Sequence, residues 1–381
     1  MADPGGCTHA ALLDFSRGSL LKATHMEALC HGNMSTAQAK QLIEDAAKSL
    51  GSKPLGISQL PVPRLLMLPD DAEVRPRAPT AQRPTAQRPH GAAPPRRSPP
   101  TAQPPTAPSP DPSAACVRGA PSLHARAAPR ARAPPQVVLR LHPSLHSEEH
   151  QPLLNLDERN SAIELTLQAG VDARPDTIIV ELLAQVLGHP AYERLRTIEQ
   201  LGYIVNLGMR DDLGVVGLRV IVQSASKHAA QLDERIEAFL ATVPALLSGL
   251  SASEFSNHRE SLLTAKLEQP KTLRHETGIY WGEISQGTYD FTRDKADAEV
   301  LRSLTVDDLA NYWRATFDAA APRRRKLSSQ AFAAHHPLPP KQATGVHGRK
   351  MHYVEGLEEV IRYKRTLAAF PAPRRADKQA S

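Results

Sequence analysis

The sequence is poor in cysteine and in aromatic residues, and it has no long apolar run. Only three of its 381 residues are cysteine, namely Cys7, Cys30 and Cys116. An odd number without close spacing argues against a disulfide framework and against a thiolate zinc site, and it suits a reducing, cytoplasmic compartment. No apolar segment approaches the ~20 residues that a membrane span needs, and the N-terminus lacks a signal-peptide pattern. We therefore expect no membrane partner.

Aromatic residues make up 4% of the chain and apolar residues 41%, so the core must consist mainly of Leu, Val, Ile and Ala. Proline and arginine are concentrated in one segment, 75–135, which holds half of the 34 prolines and three PTAQ repeats. Such a segment cannot bury enough apolar surface to offset its ordering entropy, and we predict a disordered insert.

The net charge of +6 arises from this same segment. It contains ten arginines and a single acidic residue, Asp111, so the rest of the chain is slightly acidic. The basic pI therefore describes the insert and predicts no basic surface on the folded part. A nucleic-acid partner is correspondingly not expected of that part.

Local signals predict a helix before the insert and a larger domain after it. Ser35 and Gln38 form a capping-box pattern ahead of an apolar stripe that Gly51 would end. After the insert, Val137 to Leu141 and the alternating residues around Ile163 to Leu167 predict strands. Two further strands, Tyr203 to Met209 and Val215 to Ser224, are joined by the turn sequence DDLG and predict a hairpin.

Helical patterns occupy most of the remaining domain. We predict helices at Ile178 to Leu187, ended by Gly188; Tyr192 to Gln200, with Gly202 as a left-handed cap; His228 to Leu247; Ser251 to about Lys266; Leu273 to Gln286; and from Thr305 onward. Strands followed by helices predict an α+β domain, an antiparallel sheet with helices packed on one face.

The sequence His146-Ser-Glu-Glu149-His150 spells the inverted zinc motif H-x-x-E-H. That motif requires a helix, because positions i and i+4 must present both imidazoles on one side. Here it lies between Pro143 and Pro152 without an apolar stripe, which favours a polar loop. We predict that this chain binds no metal itself. A second histidine pair, at 335–336, precedes a proline-rich stretch and is interpreted as a solvated tail.

The segment LRTIEQLGY, residues 195–203, places Arg196 on a predicted helix and Tyr203 at the start of the next strand. An arginine and a tyrosine delivered from one corner can both donate hydrogen bonds to one carbonyl oxygen. The alternative is structural: Arg196 would pair with Glu193 or Glu199 on the surface, and Tyr203 would pack in the sheet. Residue chemistry alone leaves both interpretations open.

Several blocks, in order, resemble the last part of the insulinase (pitrilysin-like) zinc metalloendopeptidases. They are EALCHGNMS, KPLGISQL, LRTIEQLGYIV, GLRVIVQS, RIEAFL, YWGEI, APRRRK and YKRTLAAFP. The resemblance covers roughly 20–73 and 137–370 and omits the proline-rich segment. It implies a two-bowl enzyme in which the first domain carries the zinc motif, while the C-terminal half supplies an Arg and a Tyr to the substrate. Those two residues match Arg196 and Tyr203.

The resemblance implies four regions in this chain: a remnant of the third insulinase-type domain at 1–74, the insert at 75–135, the fourth domain at 136–370 and a tail at 371–381. It also implies substrate-binding residues Arg196 and Tyr203, no catalytic or metal residue in this chain, and peptide substrates. Zinc would belong to the complete enzyme, in a partner N-terminal half. Two alternatives are an autonomous zinc peptidase that uses HSEEH, and an inactive fragment or a protein that binds partners through its basic insert.

Overall fold

The computed structural model describes residues 8–56, 59, 64–69, 136–145, 157–345 and 348–371. The predicted insert at 75–135 and the HSEEH sequence at 146–150 therefore lie outside the described residues. So does the predicted tail beyond residue 371.

The N-terminal residues form short elements and one longer helix. In chain order they are α1 His9–Phe15, a π-helical turn at Ser16–Leu20, β1 Ala23–Thr24, α2 Thr36–Leu50 and β2 Lys53–Pro54, with β1 and β2 paired in parallel. The capping box of Ser35 and Gln38 begins α2, and Gly51 ends it with a φ of 61°, so both predictions are confirmed. No residue of α2 is buried.

A six-stranded sheet organises the larger part of the chain. Its strands lie in the order β5-β6-β4-β7-β3-β8. Their bounds are β3 Gln136–Leu141, β4 Ser161–Val171, β5 Ile204–Asp212, β6 Val215–Ser224, β7 Arg325–Ala331 and β8 Met351–Glu355. The predicted hairpin is β5-β6, and its two-residue turn, Leu213-Gly214, has the positive φ values that tight hairpins need. The sheet is mostly antiparallel, although β3 runs parallel to both β7 and β8.

Helices cover one face of this sheet and bury its apolar side chains. Ile163, Leu165 and Leu167 of β4 are at most 1% exposed and belong to the same core as the helices. The predicted α+β class is therefore confirmed. The helices after β4 are α3 Asp176–Tyr192, α4 Ala229–Leu240, α5 Val243–Gly249, α6 Ala252–Leu267, α7 Leu273–Gln286, α8 Arg293–Ser303 and α9 Val306–Thr316, whereas α10 Gly356–Lys364 lies on the opposite face.

Two predicted helix boundaries are wrong. Gly188 does not end α3, which continues through Pro190 to Tyr192 and then through a π-helical turn at Glu193–Ile198. The burial of Leu187, Ala191 and Leu195 in one core offsets the local cost of a glycine and a proline. The single helix predicted from His228 to Leu247 is instead two, α4 and α5, separated at residues 241–242.

A buried charge cluster joins α4 to β7. Glu237 accepts hydrogen bonds from Arg324 at 2.9 and 3.0 Å and lies 2.7 Å from the Lys326 ammonium. Lys326 also bonds Asp233, which in turn accepts from Ser328. The Glu237, Arg324 and Lys326 side chains are at most 2% exposed. Such buried charges are tolerated only because they are paired and hydrogen-bonded.

The opposite face of the sheet is partly covered by α10. Val360 and Tyr363 of this helix pack against a small buried cluster that includes Val137 and Val354 of the sheet. Within the described residues no single helix is long and apolar enough to span a membrane. One pair of helical segments, Ala229–Gly249 and Ala252–Leu267, is long and apolar enough when taken together, but the pair is bent by 106°.

Candidate functional site

The corner between α3 and β5 is fixed by two buried leucines. Leu195, in the π-helical turn, and Leu201, just before the strand, are 0% and 1% exposed. The Leu201 amide donates to the Leu195 carbonyl oxygen at 3.0 Å, which closes the turn. Because both leucines are anchored in the core, the side chains between and beside them have defined directions. π-Helical turns of this kind occur frequently at functional sites.

Gly202 is required by close backbone packing and not by a left-handed cap. The positive φ in this corner belongs to Gln200, at 51°, so the predicted role of Gly202 as a cap is wrong. A methyl group placed on Gly202 would instead lie 1.8 Å from the carbonyl oxygen of Gln223 in the neighbouring strand β6. Only glycine lets the chain enter β5 so close to β6.

Arg196 and Tyr203 meet at the surface of this corner. The guanidinium carbon of Arg196 lies 5.6 Å from the centroid of the Tyr203 ring, a cation–π contact. Tyr203 is 86% exposed, so its phenol faces solvent and is not packed in the sheet. The Nε atom of Arg196 is buried and has no hydrogen-bond partner in the described part of the chain. The sequence-based expectation that these two side chains share one corner is matched by their geometry.

The structural alternative for Arg196 required a carboxylate partner, and Glu199 is already taken. Arg235 of α4 donates two hydrogen bonds to Glu199, at 2.6 and 2.7 Å, and Arg194 donates a third at 2.8 Å. The Arg235 guanidinium is the main cause that lowers the pKa of Glu199 below its usual range. No ion pair of Arg196 occurs among the described residues, and this includes Glu193. Arg196 therefore keeps donors that can reach a ligand.

The arrangement offers two hydrogen-bond donors of different kinds at one exposed place. A guanidinium carries a permanent charge and several N–H groups, and a phenol carries one O–H. Together they suit an oxygen that is partly or fully negative, such as a peptide carbonyl or a carboxylate. Three exposed apolar side chains, Tyr192, Ile198 and Ile204, lie close by in the sequence and could contact neighbouring peptide side chains.

A group of histidines lies at the same end of the sheet and was missed by sequence reasoning. The Nδ1 atom of His336 is 2.7 Å from the Ser161 hydroxyl, and its ring centroid is 6.4 Å from that of His228. The prediction of a solvated tail is therefore wrong for His336. Burial lowers the pKa of His228 and of His336, which favours neutral rings near pH 7. The strand register pairs Ser161, at the start of β4, with Ser224, at the end of β6. This pairing, which no local sequence pattern reveals, brings the two histidine rings to the end of the sheet where Tyr203 precedes β5.

A metal centre has no support among the residues that the structure describes, because none of their His, Cys, Asp and Glu side chains form a group of three or more that could hold an ion. His146, Glu149 and His150 lie outside the described residues. The expectation that this chain binds no metal itself stays a prediction.

The fold and several parts of the sequence match known peptidases. Residues 182–281 match a family profile described as the C-terminal lobe domain 4 of PQQ synthase PqqF-like proteins. The crystal structure of pitrilysin superposes with a TM-score of 0.58 and 19% identity, over 90% of this chain. The insulin-degrading enzyme of Drosophila melanogaster is 40% identical over 170 residues, and that of Homo sapiens 36% over 174. A putative zinc protease of Schizosaccharomyces pombe is 26% identical over 310 residues, or 81% of this chain.

The chain is similar in sequence and fold to the C-terminal part of insulinase-family peptidases.

The insulinase-type relatives are much longer than the matched regions. The match covers 17% of the Drosophila protein, 24% of the S. pombe protein and 27% of the pitrilysin chain. The match to the family profile begins within α3 and ends within α7, so it contains the Arg196–Tyr203 corner.

Proposed function

We propose that this chain is the substrate-binding C-terminal half of an insulinase-type metalloendopeptidase. In this proposal residues 1–74 are the remnant of a third domain and 136–370 form the fourth domain. The chain binds peptides and closes the chamber, and the zinc ion comes from an N-terminal half that carries the metal motif. The observation that carries the proposal is the contact of Arg196 with the exposed Tyr203 on a rigid corner, where Arg196 has no ion-pair partner among the described residues.

The role of the pair follows from the charge that develops during peptide hydrolysis. Zinc in such enzymes activates a water molecule and polarises the scissile carbonyl. The carbonyl oxygen gains negative charge as water adds. Arg196 and Tyr203 would donate hydrogen bonds to that oxygen or to a neighbouring peptide carbonyl. Donors held by a folded corner act without reorganising during the reaction, and losing one typically costs about 10²–10³ in turnover.

Three features of the corner support this role. The cation–π contact holds the Arg196 guanidinium in place without consuming its N–H donors. Glu199, which could have neutralised it, is bound to Arg194 and Arg235 instead. Leu195 and Leu201 fix the backbone on either side. A site built on rigid elements keeps its geometry when the peptide binds.

Complementation tests this proposal. The purified chain is mixed with the N-terminal half of the Drosophila insulin-degrading enzyme, a relative that is 40% identical over 170 residues, and cleavage of a fluorogenic peptide is measured. We expect the mixture to cleave the peptide faster than either part alone, with zinc required in the N-terminal half. A mixture no faster than the N-terminal half alone would contradict the proposal.

Matched variants separate the site from the fold. With the double variant Arg196→Ala/Tyr203→Phe, the mixture should cleave the peptide no faster than the N-terminal half alone. The control is Arg274→Ala/Trp281→Phe on α7, whose side chains are also exposed but lie away from this corner in the sequence. Equal loss in both doubles would mean that the corner acts only by folding.

A further inference from the structure

A cavity of about 440 Å³ lies on the sheet face that α3 does not cover. Its floor is the sheet, and its sides are α10 and the extended strip at residues 64–68. The strip is held from both directions. Leu66 forms a β-bridge with Ala369. The Gln168 side chain accepts a hydrogen bond from the Leu68 amide at 2.9 Å and donates one to the Leu66 carbonyl oxygen at 3.1 Å. The walls are therefore part of the fold, and Gln168 is satisfied by protein groups.

The interior of the cavity is mainly aliphatic. Six of the side chains that line it are Leu68, Val137, Leu139, Leu327, Val354 and Val360. Protein interiors are normally packed without voids much larger than a water molecule. A space of this size falls in the range of small-molecule sites, which are lined mostly by apolar side chains with a few polar groups. Its chemistry suits an aliphatic chain.

The charged side chains at the cavity that lack an ion-pair partner among the described residues are positive. Arg210 lines it but is neutralised by Glu164 and Asp212. Lys364 and Arg64 also line it, both are exposed, and neither has a carboxylate partner in the described ranges. Among the described residues, the mouth therefore presents two cations without a carboxylate partner beside apolar walls.

Tyr363 adds a hydrogen-bonding group to the same wall. Burial raises the pKa of its phenol to about 12, so the hydroxyl keeps its proton at neutral pH. Within the part of the chain described, no protein group is hydrogen-bonded to this hydroxyl, whereas the Tyr363 ring stacks on His352 with centroids 4.6 Å apart. A hydroxyl fixed by its ring and lacking a protein partner can serve a ligand.

We propose that this cavity binds an aliphatic carboxylate, with the hydrocarbon chain among the leucine and valine side chains and the carboxylate near Lys364, Arg64 and the Tyr363 hydroxyl. The site is separate from the Arg196–Tyr203 corner. Ile204 and Asp212 are the opposite ends of β5, about 26 Å apart at ~3.3 Å per residue, and Asp212 lines the cavity while Tyr203 precedes Ile204. The proposal therefore does not depend on the proposed peptidase role.

Binding of defined fatty acids by the full chain tests this inference. Octanoate, nonanoate and decanoate are titrated below their micelle concentrations by isothermal calorimetry. Each added methylene should tighten binding about fourfold while the chain still enters apolar space. Decanol should bind more weakly than decanoate. A peptide ending in leucine has the same carboxylate but a short apolar group, and it should also bind more weakly than decanoate. Equal affinity of all these ligands would overturn the proposal.

Variants at the cavity sharpen the test. Val360→Trp fills the space from α10 and should weaken decanoate binding at least tenfold. Ile361→Trp, on the exposed side of the same helix, is the matched control and should bind normally. The surface double variant Arg64→Gln/Lys364→Gln should weaken decanoate about tenfold or more and leave decanol unchanged. Unaltered decanoate binding in both the filled and the uncharged variants, or no binding by the wild type, would overturn the proposal.

Discussion

Replacement of Glu237 by glutamine should remove a large part of the stability of the domain. The Glu237 side chain is 1% exposed, and it accepts hydrogen bonds from Arg324 at 2.9 and 3.0 Å while Lys326 lies 2.7 Å away. Glutamine has nearly the same shape but no charge. Arg324 would then lose its carboxylate partner, and Lys326 would keep only Asp233, which also bonds Ser328.

The magnitude follows from the cost of an uncompensated buried charge. Removing one partner of a buried ion pair destabilises proteins by about 3–5 kcal/mol. The pKa of Glu237 reflects the same two cations. Burial alone would raise this pKa, but the charges of Lys326 and Arg324 and their hydrogen bonds outweigh it and lower the pKa to about 2.

The sign of the pH dependence is set by the lowered pKa. Glu237 stabilises the folded state fully above about pH 4.5, where the unfolded chain is also ionised, and this contribution is lost as the pH falls from 4.5 towards 2. The glutamine variant lacks this contribution at every pH, so it has nothing to lose on acidification. The stability difference between the two proteins should therefore be largest at neutral pH and shrink in that acid range.

Urea unfolding followed by circular dichroism at pH 7, 5, 4 and 3 measures these differences. Glu260→Gln is the matched control, because this glutamate is 63% exposed on α6, and it should change stability by less than about 0.5 kcal/mol. A Glu237→Gln protein within about 1 kcal/mol of the wild type at pH 7, with an unchanged pH profile, would refute the reasoning.

Two backbone-level predictions use the same unfolding assay. Gly202→Ala should destabilise the domain by about 1–3 kcal/mol, because its methyl group would overlap the Gln223 carbonyl oxygen, whereas Gly278→Ala in α7 has open space and should be neutral or stabilising. Equal effects of the two would contradict the close-packing argument. Ser251→Ala should cost about 0.5–2 kcal/mol, because Ser251 and Glu254 form a complete capping box at the start of α6. An unchanged midpoint would show that this cap contributes nothing.

Elements whose signals are local could be predicted from the sequence. The capping box of Ser35 and the turn at Leu213-Gly214 each depend on a few adjacent residues, so α2 and the β5-β6 hairpin were both predicted. Gly188 and Pro190 are also local signals, but burial of their neighbours in the core overrides them and α3 continues. Helix α8 was missed because its sequence is strongly polar and few of its residues are buried.

The candidate site could be predicted only in part. The sequence placed Arg196 and Tyr203 beside one corner, since both lie within nine residues. Whether Glu199 would neutralise Arg196 depended on Arg235, which α4 brings from 36 residues further along the chain. The role of Gly202 depended on the position of Gln223 in the next strand. The cavity beside α10 is lined by residues as far apart in the sequence as 64 and 364, and no local pattern connects these positions.

The most direct test of the central claim is a double-mutant cycle on Arg196 and Tyr203 in the complemented enzyme. The kcat for peptide cleavage is measured for Arg196→Ala, for Tyr203→Phe and for the double variant, with zinc-loaded N-terminal half in excess. If both donors stabilise one peptide oxygen, each single variant should lose about 10²–10³ in kcat, and the double variant should lose less than the product of the two. Wild-type kcat in both single variants would contradict the account.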